Sequence, residues 1–399
     1  MKNFLFISPN FPDVYYKFIT SLKKIGFNVL GIGDSPYWEL KEELKNNLTE
    51  YYCVPDMTKI DEMIKAINFF KSKYGHIDYL ESNNEYWLMN DAYLREKFNI
   101  ATGQWPSDMD KIKYKSKMKE YFIKAGAKVA RYILVSTLEK SLEFIELVNY
   151  PVFVKPDVGV GAIDSFKINN EEELKNFHSK TLDTVYIMEE FLEGEIVSFD
   201  GIANSYNEVL IALNEHFPIP VASVVSDNLD DFYYATTNID EDFLNLGKRV
   251  IKSFNVKKRC FHIEFFKLSK DHPGLASRGD LVALEVNMRP PGGNTPDLLS
   301  VALDRSYYDA YSEIMMNDTL TNPFTINTII AITASRKDVY KYFYSNEEIL
   351  TKYKDGITES GRYPKSISAA MGDTYYYAKF YNLNKALDFA DDIRKKTAN

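Results

Sequence analysis

Two stretches of the chain carry oxygen-bearing side chains at the spacing of a β-strand. In residues 281–289, LVALEVNMR, a period of two puts Leu284, Val286 and Met288 on one face and Ala283, Glu285, Asn287 and Arg289 on the other. Residues 261–266 repeat the pattern, with Phe261, Ile263 and Phe265 turned to a core and His262 and Glu264 turned away from it. If the two strands pair antiparallel, Glu264, Glu285 and Asn287 gather as hard oxygen ligands, the set Mg²⁺ takes when it bridges phosphate oxygens. Arg289, one step further, adds a planar cationic fork for a phosphoryl group in transfer. Taken alone, Glu285 and Arg289 also fit an ordinary cross-strand salt bridge.

Further elements lie upstream. Lys155 ends the apolar run PVFVKP and is followed by DVGVGA, where Gly159 and Gly161 let backbone N–H groups come close to a phosphate while the lysine neutralises it. IMEEFLEGE reads as a strand running into a short turn, whose backbone can pair with an adenine edge and whose Glu195 can accept ribose hydroxyls. The segment DKIKYKSKMKEYFIKAGAK is a basic helix that, by itself, is no more than a solvated amphipathic one. In RPPGGNTPD two prolines fix the backbone and two glycines leave room beside it. It reads as a substrate loop in which Arg289 and the amides of Gly292 and Gly293 meet an acceptor carboxylate, or as a rigid turn before a helix. His216 is placed on the substrate side of the cleft, and His262 either supports Glu264 or is a satisfied structural histidine.

In this order, lysine helix, strand with Lys and Gly loop, EEFLEGE turn, Glu264 and the Glu285-x-Asn287-x-Arg289 row, the chain resembles the ATP-grasp superfamily, and within it ligases that join amino acids and carbamoyl-phosphate-synthase-like proteins. The resemblance implies an α/β and α+β fold. Residues 1–112 would form a Rossmann-like parallel-sheet domain, 113–192 the small lobe or lid, 193–320 the large lobe with the metal site, and 321–399 an α+β extension completing that lobe. It assigns Lys115 and Lys155 to the ATP phosphates, with Lys113 and Lys117 as alternatives to Lys115. Gly159 and Gly161 fall to the phosphate loop, Glu189 and Leu192 to adenine through their backbones, with Glu190 in the same turn, and Glu195 to ribose. Glu264, Glu285 and Asn287 would hold Mg²⁺, with Mn²⁺ an alternative ion, and Arg289 and Lys155 would serve the transfer. The loop DVGVGAID departs from the family in lacking the Ser and basic residues that relatives place among its glycines. The implied reaction activates a carboxylate as an acyl phosphate and couples it to an amine, releasing ADP and phosphate. Alternatives are a carboxylase or kinase-like relative and a nucleotide-binding sensor or scaffold without turnover. The partners expected are small carboxylate and amine molecules, and a homodimer stays open.

The elements needed to position these groups are legible. Over residues 1–112, short apolar strands alternate with amphipathic helices, the pattern of a parallel sheet covered on both faces. No Gly-x-Gly-x-x-Gly follows the first strand, so ordinary dinucleotide binding is not supported. Strands are expected near 131–135, 152–155, 165–168, 185–189, 197–203, 209–213, 260–268, 281–287, 328–333 and 374–380. Helices are expected at 110–126, 241–254, 297–318 and from 383 onward, and the polar connection SKDHPGLASRGD reads as a mobile loop. The composition excludes other classes. With 45% hydrophobic residues in 399, the chain folds throughout. A net charge of −9 disfavours nucleic acid. Two isolated cysteines, Cys53 and Cys260, argue against disulfides and structural zinc. The N-terminal apolar stretch is too short for a signal peptide and no run is long enough for a membrane span, so a soluble cytoplasmic protein is expected.

Overall fold

The computed structural model of the protein describes residues 1–159 and 164–397. Its first strand, Asn3–Ile7, is fully buried, and alternate residues serve two separate cores. Phe4 and Phe6 pack with Phe18 and Leu22, while Leu5 and Ile7 pack with Met63, Ile67 and Phe70 of the helix Ile60–Tyr74. A strand apolar on both faces belongs inside a helix-covered parallel sheet. The sheet order is Glu50–Cys53, Asn28–Gly33, Asn3–Ile7, Tyr79–Glu81, with every pairing parallel. Its strand order reverses about Asn3–Ile7, so a crevice opens beyond the carboxyl ends of that strand and of Tyr79–Glu81.

A nine-stranded sheet forms the centre of the molecule. Its order is Ile357–Arg362, Thr374–Phe380, Ile330–Arg336, Phe232–Thr236, Val209–Phe217, Gly194–Ala203, Arg259–Leu268, Leu281–Asn287 and Lys128–Val129, antiparallel except at the last pair. One face packs Val197, Phe199, Ile263 and Phe265 against the helix Glu241–Phe254 and Phe122. The other packs Ile202, Leu213 and Cys260 against Leu298, Leu299, Tyr307 and Tyr311. A four-stranded antiparallel sheet, Tyr132–Leu134, Tyr186–Glu190, Val152–Pro156, Phe166–Ile168, makes a third layer with its own core around Val152, Val154, Leu174 and Met188. No helix among the described residues is long and apolar enough to cross a membrane.

Several elements differ from expectation. The basic helix is broken at Tyr114, whose extended backbone (φ −87°, ψ 116°) separates Asp110–Lys113 from Lys115–Lys124. Asp157 supplies the cap from outside. It accepts from Ser116 N at 2.7 Å and Ser116 Oγ at 2.8 Å, while its carbonyl accepts Lys115 N at 2.9 Å. The helix expected at 297–318 is two helices, Thr295–Leu303 and Tyr307–Asn317, parted where Asp304 turns left-handed (φ 51°) and Ser306 caps the second by accepting from Asp309 N. The strand expected at 131–135 is Tyr132–Leu134, and an unexpected short strand, Lys128–Val129, precedes it in the central sheet, so the chain changes layer at Ala130 and Arg131. The connection at 269–280 is pinned rather than free. His272 N donates to Ala276 O at 2.8 Å, and Asp280 accepts from Lys128 and Ser277 N. Phe232–Thr236 and Ile357–Arg362 are strands that the sequence reading did not place.

The central sheet is tightest at Gly201. A Cβ there would lie 1.9 Å from Ile211 O and 2.8 Å from the Phe261 ring. Gly201→Ala should therefore lower folding stability by about 3 kcal/mol, read as a drop in the urea midpoint at unchanged slope.

Candidate active site

Pairing of Arg259–Leu268 with Leu281–Asn287 sets Glu264 directly opposite Glu285 and His262 opposite Asn287. The register shifts just beyond Glu264, where Phe265 pairs with Ala283, so Leu284 is the extra residue of a β-bulge. The bulge corrects the simple two-residue reading of this strand. Ala283 joins Val286 and Met288 in the apolar core instead of sharing a face with Glu285. Beyond the bulge, Glu285 and Asn287 stay on the side of Glu264, and the two carboxylates are each about a quarter exposed (26% and 25%). Arg289 follows, with Nη1 donating to Pro290 O at 2.8 Å, Nη2 3.4 Å from Asn287 Oδ1, and Nε 3.6 Å from Glu85 Oε2.

Like charges directly opposite one another across a sheet repel. The pair answers by splitting its acidities. Burial pushes Glu264 up, but His262, Arg289 and Lys155 outweigh it and hold the carboxyl below the usual range. Burial raises Glu285, Lys115 opposes that, and the Glu264 charge adds to it. Two carboxylates and an amide oxygen form a hard donor set for Mg²⁺ or Mn²⁺, and a divalent ion would remove the repulsion these groups create. The residues present thus fit the ion.

Three lysines approach this row. Lys115, at the start of its helix, lies with Nζ 3.7 Å from Glu285 Oε1 and donates to Gly159 O at 2.9 Å. Lys117 points outward and pairs with Glu120 on the surface. Lys119, one turn beyond Lys115, is the residue that sequence reasoning missed, although the i, i+4 spacing puts both lysines on one helix face. It is almost fully buried, and its Nζ lies 2.8 Å from Glu189 Oε1, while Lys155 Nζ lies 2.7 Å from Glu189 Oε2. Burial would raise Glu189, but the two ammonium groups prevail and bring it down to about 2. Lys119 itself is lowered by burial against the pull of Glu189.

Other expected residues lie apart from this cluster. Glu190 faces away from Glu189 and takes Arg131 Nε and Nη2 at 2.7 and 2.8 Å, with His272 Nδ1 at 3.2 Å. Leu192 is buried beside Ala130, Leu268 and Val282, where the two sheets meet. Glu195 bonds His216 Nδ1 at 2.9 Å, and His216 stacks on Tyr234 at 4.6 Å. Strand parity puts this pair on the face of Val197, whose partner across the strands is His216, and not on the face of Ser198, whose partner is Glu264. Glu195, expected at ribose, and His216, expected at substrate, therefore face the side of the sheet opposite to the metal row, a one-residue difference in register. Gly161 falls outside the described residues.

The loop after Arg289 borders a cavity of about 490 Å³. Gly292 and Gly293 form one wall, with Asn10 and Phe11 from the end of the first strand and Asn83 and Glu85 from the end of Tyr79–Glu81 on another. Gly293 is required as glycine: its φ is 58°, and a Cβ would meet Met371 Sδ at 2.3 Å. Gly292 faces open space. Burial raises the Glu85 carboxyl against the opposing charge of Arg289. These N-terminal residues were also missed. Their signal is the polar run SNNE immediately after an apolar strand, at the carboxyl edge where open parallel sheets take ligands. Glu189→Gln would leave Lys119 and Lys155 as buried ammonium groups without a counter-charge, and it should cost about 3 kcal/mol or more in a denaturation experiment at neutral pH.

Residues 109–293 match the family model of the ATP-grasp domain. An L-arginine-specific L-amino acid ligase of Bacillus subtilis is 23% identical over 271 residues, 65% of this chain and 62% of that protein. An alanine–anticapsin ligase of Bacillus subtilis (strain 168) is 24% identical over 270 residues, 61% of this chain and 53% of that one. The chain thus spans less than two thirds of the length of both ligases. The crystal structure of an L-amino acid ligase from Bacillus licheniformis superposes with a TM-score of 0.72 at 13% identity, covering 98% of this chain and 97% of that one. The segment that carries the carboxylate row thus matches the ATP-grasp domain model, and the fold of the whole chain is that of the L-amino acid ligase structure.

Proposed function

We propose that the protein is an ATP- and Mg²⁺-dependent ligase that activates a carboxylate as an acyl phosphate and couples it to an amine of amino-acid type. The observation that carries this reading is the directly opposed pair Glu264 and Glu285, with Asn287 beside it, within reach of Lys115 and next to an Arg289-lined cavity. The relatives named above, both ligases that act on amino acids by their names, support the same reaction class.

In this reading residues 1–112 close one side of the acceptor cavity, 113–192 and 193–320 clasp the nucleotide, and 321–399 extend the central sheet. The backbone of 189–192 takes the adenine edge. Lys115 and Lys155 neutralise the phosphates, and Lys119 keeps Glu189 charged and fixed so that Lys155 is held in place. Mg²⁺, held by Glu264, Glu285 and Asn287, would supply charge neutralisation for the transferred group. The substrate carboxylate oxygen attacks the γ-phosphorus and ADP leaves; the amine nitrogen then attacks the acyl carbon, and phosphate leaves with its bonding pair while the nitrogen gives up a proton. Arg289 contacts the carboxylate or its acyl phosphate from the cavity side, steadied by its neighbour Glu85. The Gly292 and Gly293 amides line the same wall. One chain supplies all of these residues.

A panel of amino acids, each offered as carboxylate and as amine, tests the reading through ADP and phosphate release and mass detection of the amide. ADP should form with at least one pair and not with ATP alone at comparable rate. Glu285→Gln should reduce the ligation rate by about 100-fold or more with the fold intact. A parental rate in this variant overturns the metal row. Tight ATP binding with no ADP from any pair favours the nucleotide-binding sensor instead.

A further inference from the structure

Behind Glu264, on the same face of the central sheet, a row of polar side chains runs inward across four strands. Cross-strand partners are Glu215 with Ser198, Ser198 with Glu264, Glu264 with Glu285, and, one step along, Asp200 with His262 and His262 with Asn287. Asp200, Glu215 and Ser198 are wholly buried. His262 bridges this interior to the exposed row: Nδ1 lies 2.6 Å from Asp200 Oδ1, and Nε2 lies 3.1 Å from Glu264 Oε1. Ser198 Oγ donates to Asp200 Oδ2 and lies 3.4 Å from Glu215 Oε2, and Asn214 Nδ2 donates to Ser198 O at 2.9 Å.

On the opposite face the same strands carry Phe199, Ala212, Ile263 and Phe265, and that apolar set packs the sheet well. Burying two carboxylates and an imidazole costs more than burying a second apolar row. The polar row occurs where the strands lead out to Glu264. With a carboxylate oxygen on each ring nitrogen, the imidazole donates through both, which fixes its plane and takes one oxygen of Glu264. The other oxygen is left for the ion, in a rotamer that His262 selects.

We propose that Asp200 and His262 are positioning residues that hold Glu264 in its ion-binding orientation. This rests on the reading of Glu264 and Glu285 as the ligands of the divalent ion. The direction of action is from Asp200 through Nδ1, across the ring, and from Nε2 to Glu264. Glu215 and Ser198 brace Asp200 from behind. The same three buried groups, Asp200, Glu215 and His262, offer ligand atoms within 4.8 Å of one another, so a second ion lodged there is the competing account.

The test measures Mn²⁺ binding to the full chain with ADP present, by electron paramagnetic resonance of the free ion, with far-ultraviolet circular dichroism recorded for each variant. His262→Gln places an amide nitrogen where Nε2 stood and keeps a donor to Glu264; His262→Asn places one near Nδ1 and keeps only the link to Asp200. His262→Asn should weaken Mn²⁺ binding by about 10- to 100-fold, and His262→Gln, which loses Asp200 but keeps the donor to Glu264, should weaken it distinctly less. Asp200→Asn, with the shape preserved, should weaken binding in the same direction as His262→Asn and serves if that variant does not fold. Equal affinities in His262→Gln and His262→Asn overturn the proposal, as does a stoichiometry that falls by one ion while the remaining ion binds at parental strength. If the parental protein binds no Mn²⁺ with ADP, the ligase reading falls together with it; parental binding with unaltered variants removes this proposal alone.

Discussion

The site depends on an electrostatic conflict. Glu264 and Glu285 occupy directly opposed positions on adjacent strands, where two negative charges have no geometric escape short of unpairing the strands. The protein surrounds the conflict with cations it can spare. Lys115 stands 3.7 Å from Glu285, His262 bonds Glu264, and Arg289 and Lys155 lower the pKa of Glu264 further. None of these cancels the pair outright, since burial still leaves Glu285 raised. In the proposed reading a divalent ion would carry the compensation that is missing, and the repulsion would become a source of affinity for it.

The lysines illustrate how one charge constrains another. Glu189 lies between Lys119 and Lys155, so the ammonium of Lys155 is held at a set place and not left to sweep the cleft. Asp157, at the end of the strand that carries Lys155, caps the helix that begins with Lys115. The two phosphate-binding candidates are therefore tied by one short segment, and the strand Val152–Pro156 and the helix Lys115–Lys124 are coupled in position. The N-terminal sheet is joined to the same assembly through a buried ion network. Glu81 accepts from Arg95 Nη2 at 3.0 Å and from Arg259, a wholly buried residue near the start of the strand that goes on to Glu264. Arg95 also donates to Leu80 O, which anchors the strand end from which Asn83 and Glu85 reach the cavity.

Much of this was legible from residue types and spacing. The strands Leu281–Asn287 and Thr374–Phe380 and the helix Glu241–Phe254 lie where the residue pattern put them, and the helix is a regular amphipathic run whose apolar side is decided locally. Phe261, Ile263 and Phe265 are buried for the same reason. The lysine ambiguity and the break at Tyr114 were not legible, since the cap that makes the break comes from Asp157 on another layer. Ala283 was misplaced because a bulge changes strand parity without leaving a glycine or proline to mark it. Glu195 shows the same dependence on parity, a single residue separating its face from that of Ser198 and Glu264.

Residue identity alone determined which chemistry was available: oxygen ligands at a period of two, a lysine closing an apolar strand, and a guanidinium one step past the ligands. That information survives in a linear string because side-chain alternation is a property of the backbone within a few residues. Tertiary structure decided which groups meet. The register across strands set Glu264 against Glu285, a distant aspartate chose Lys115, Lys119 took up Glu189, and the carboxyl edge of the N-terminal sheet supplied Asn10, Asn83 and Glu85 to the cavity. These outcomes depend on contacts between residues far apart in the chain, and no local pattern encodes the distance at which two such segments come to rest.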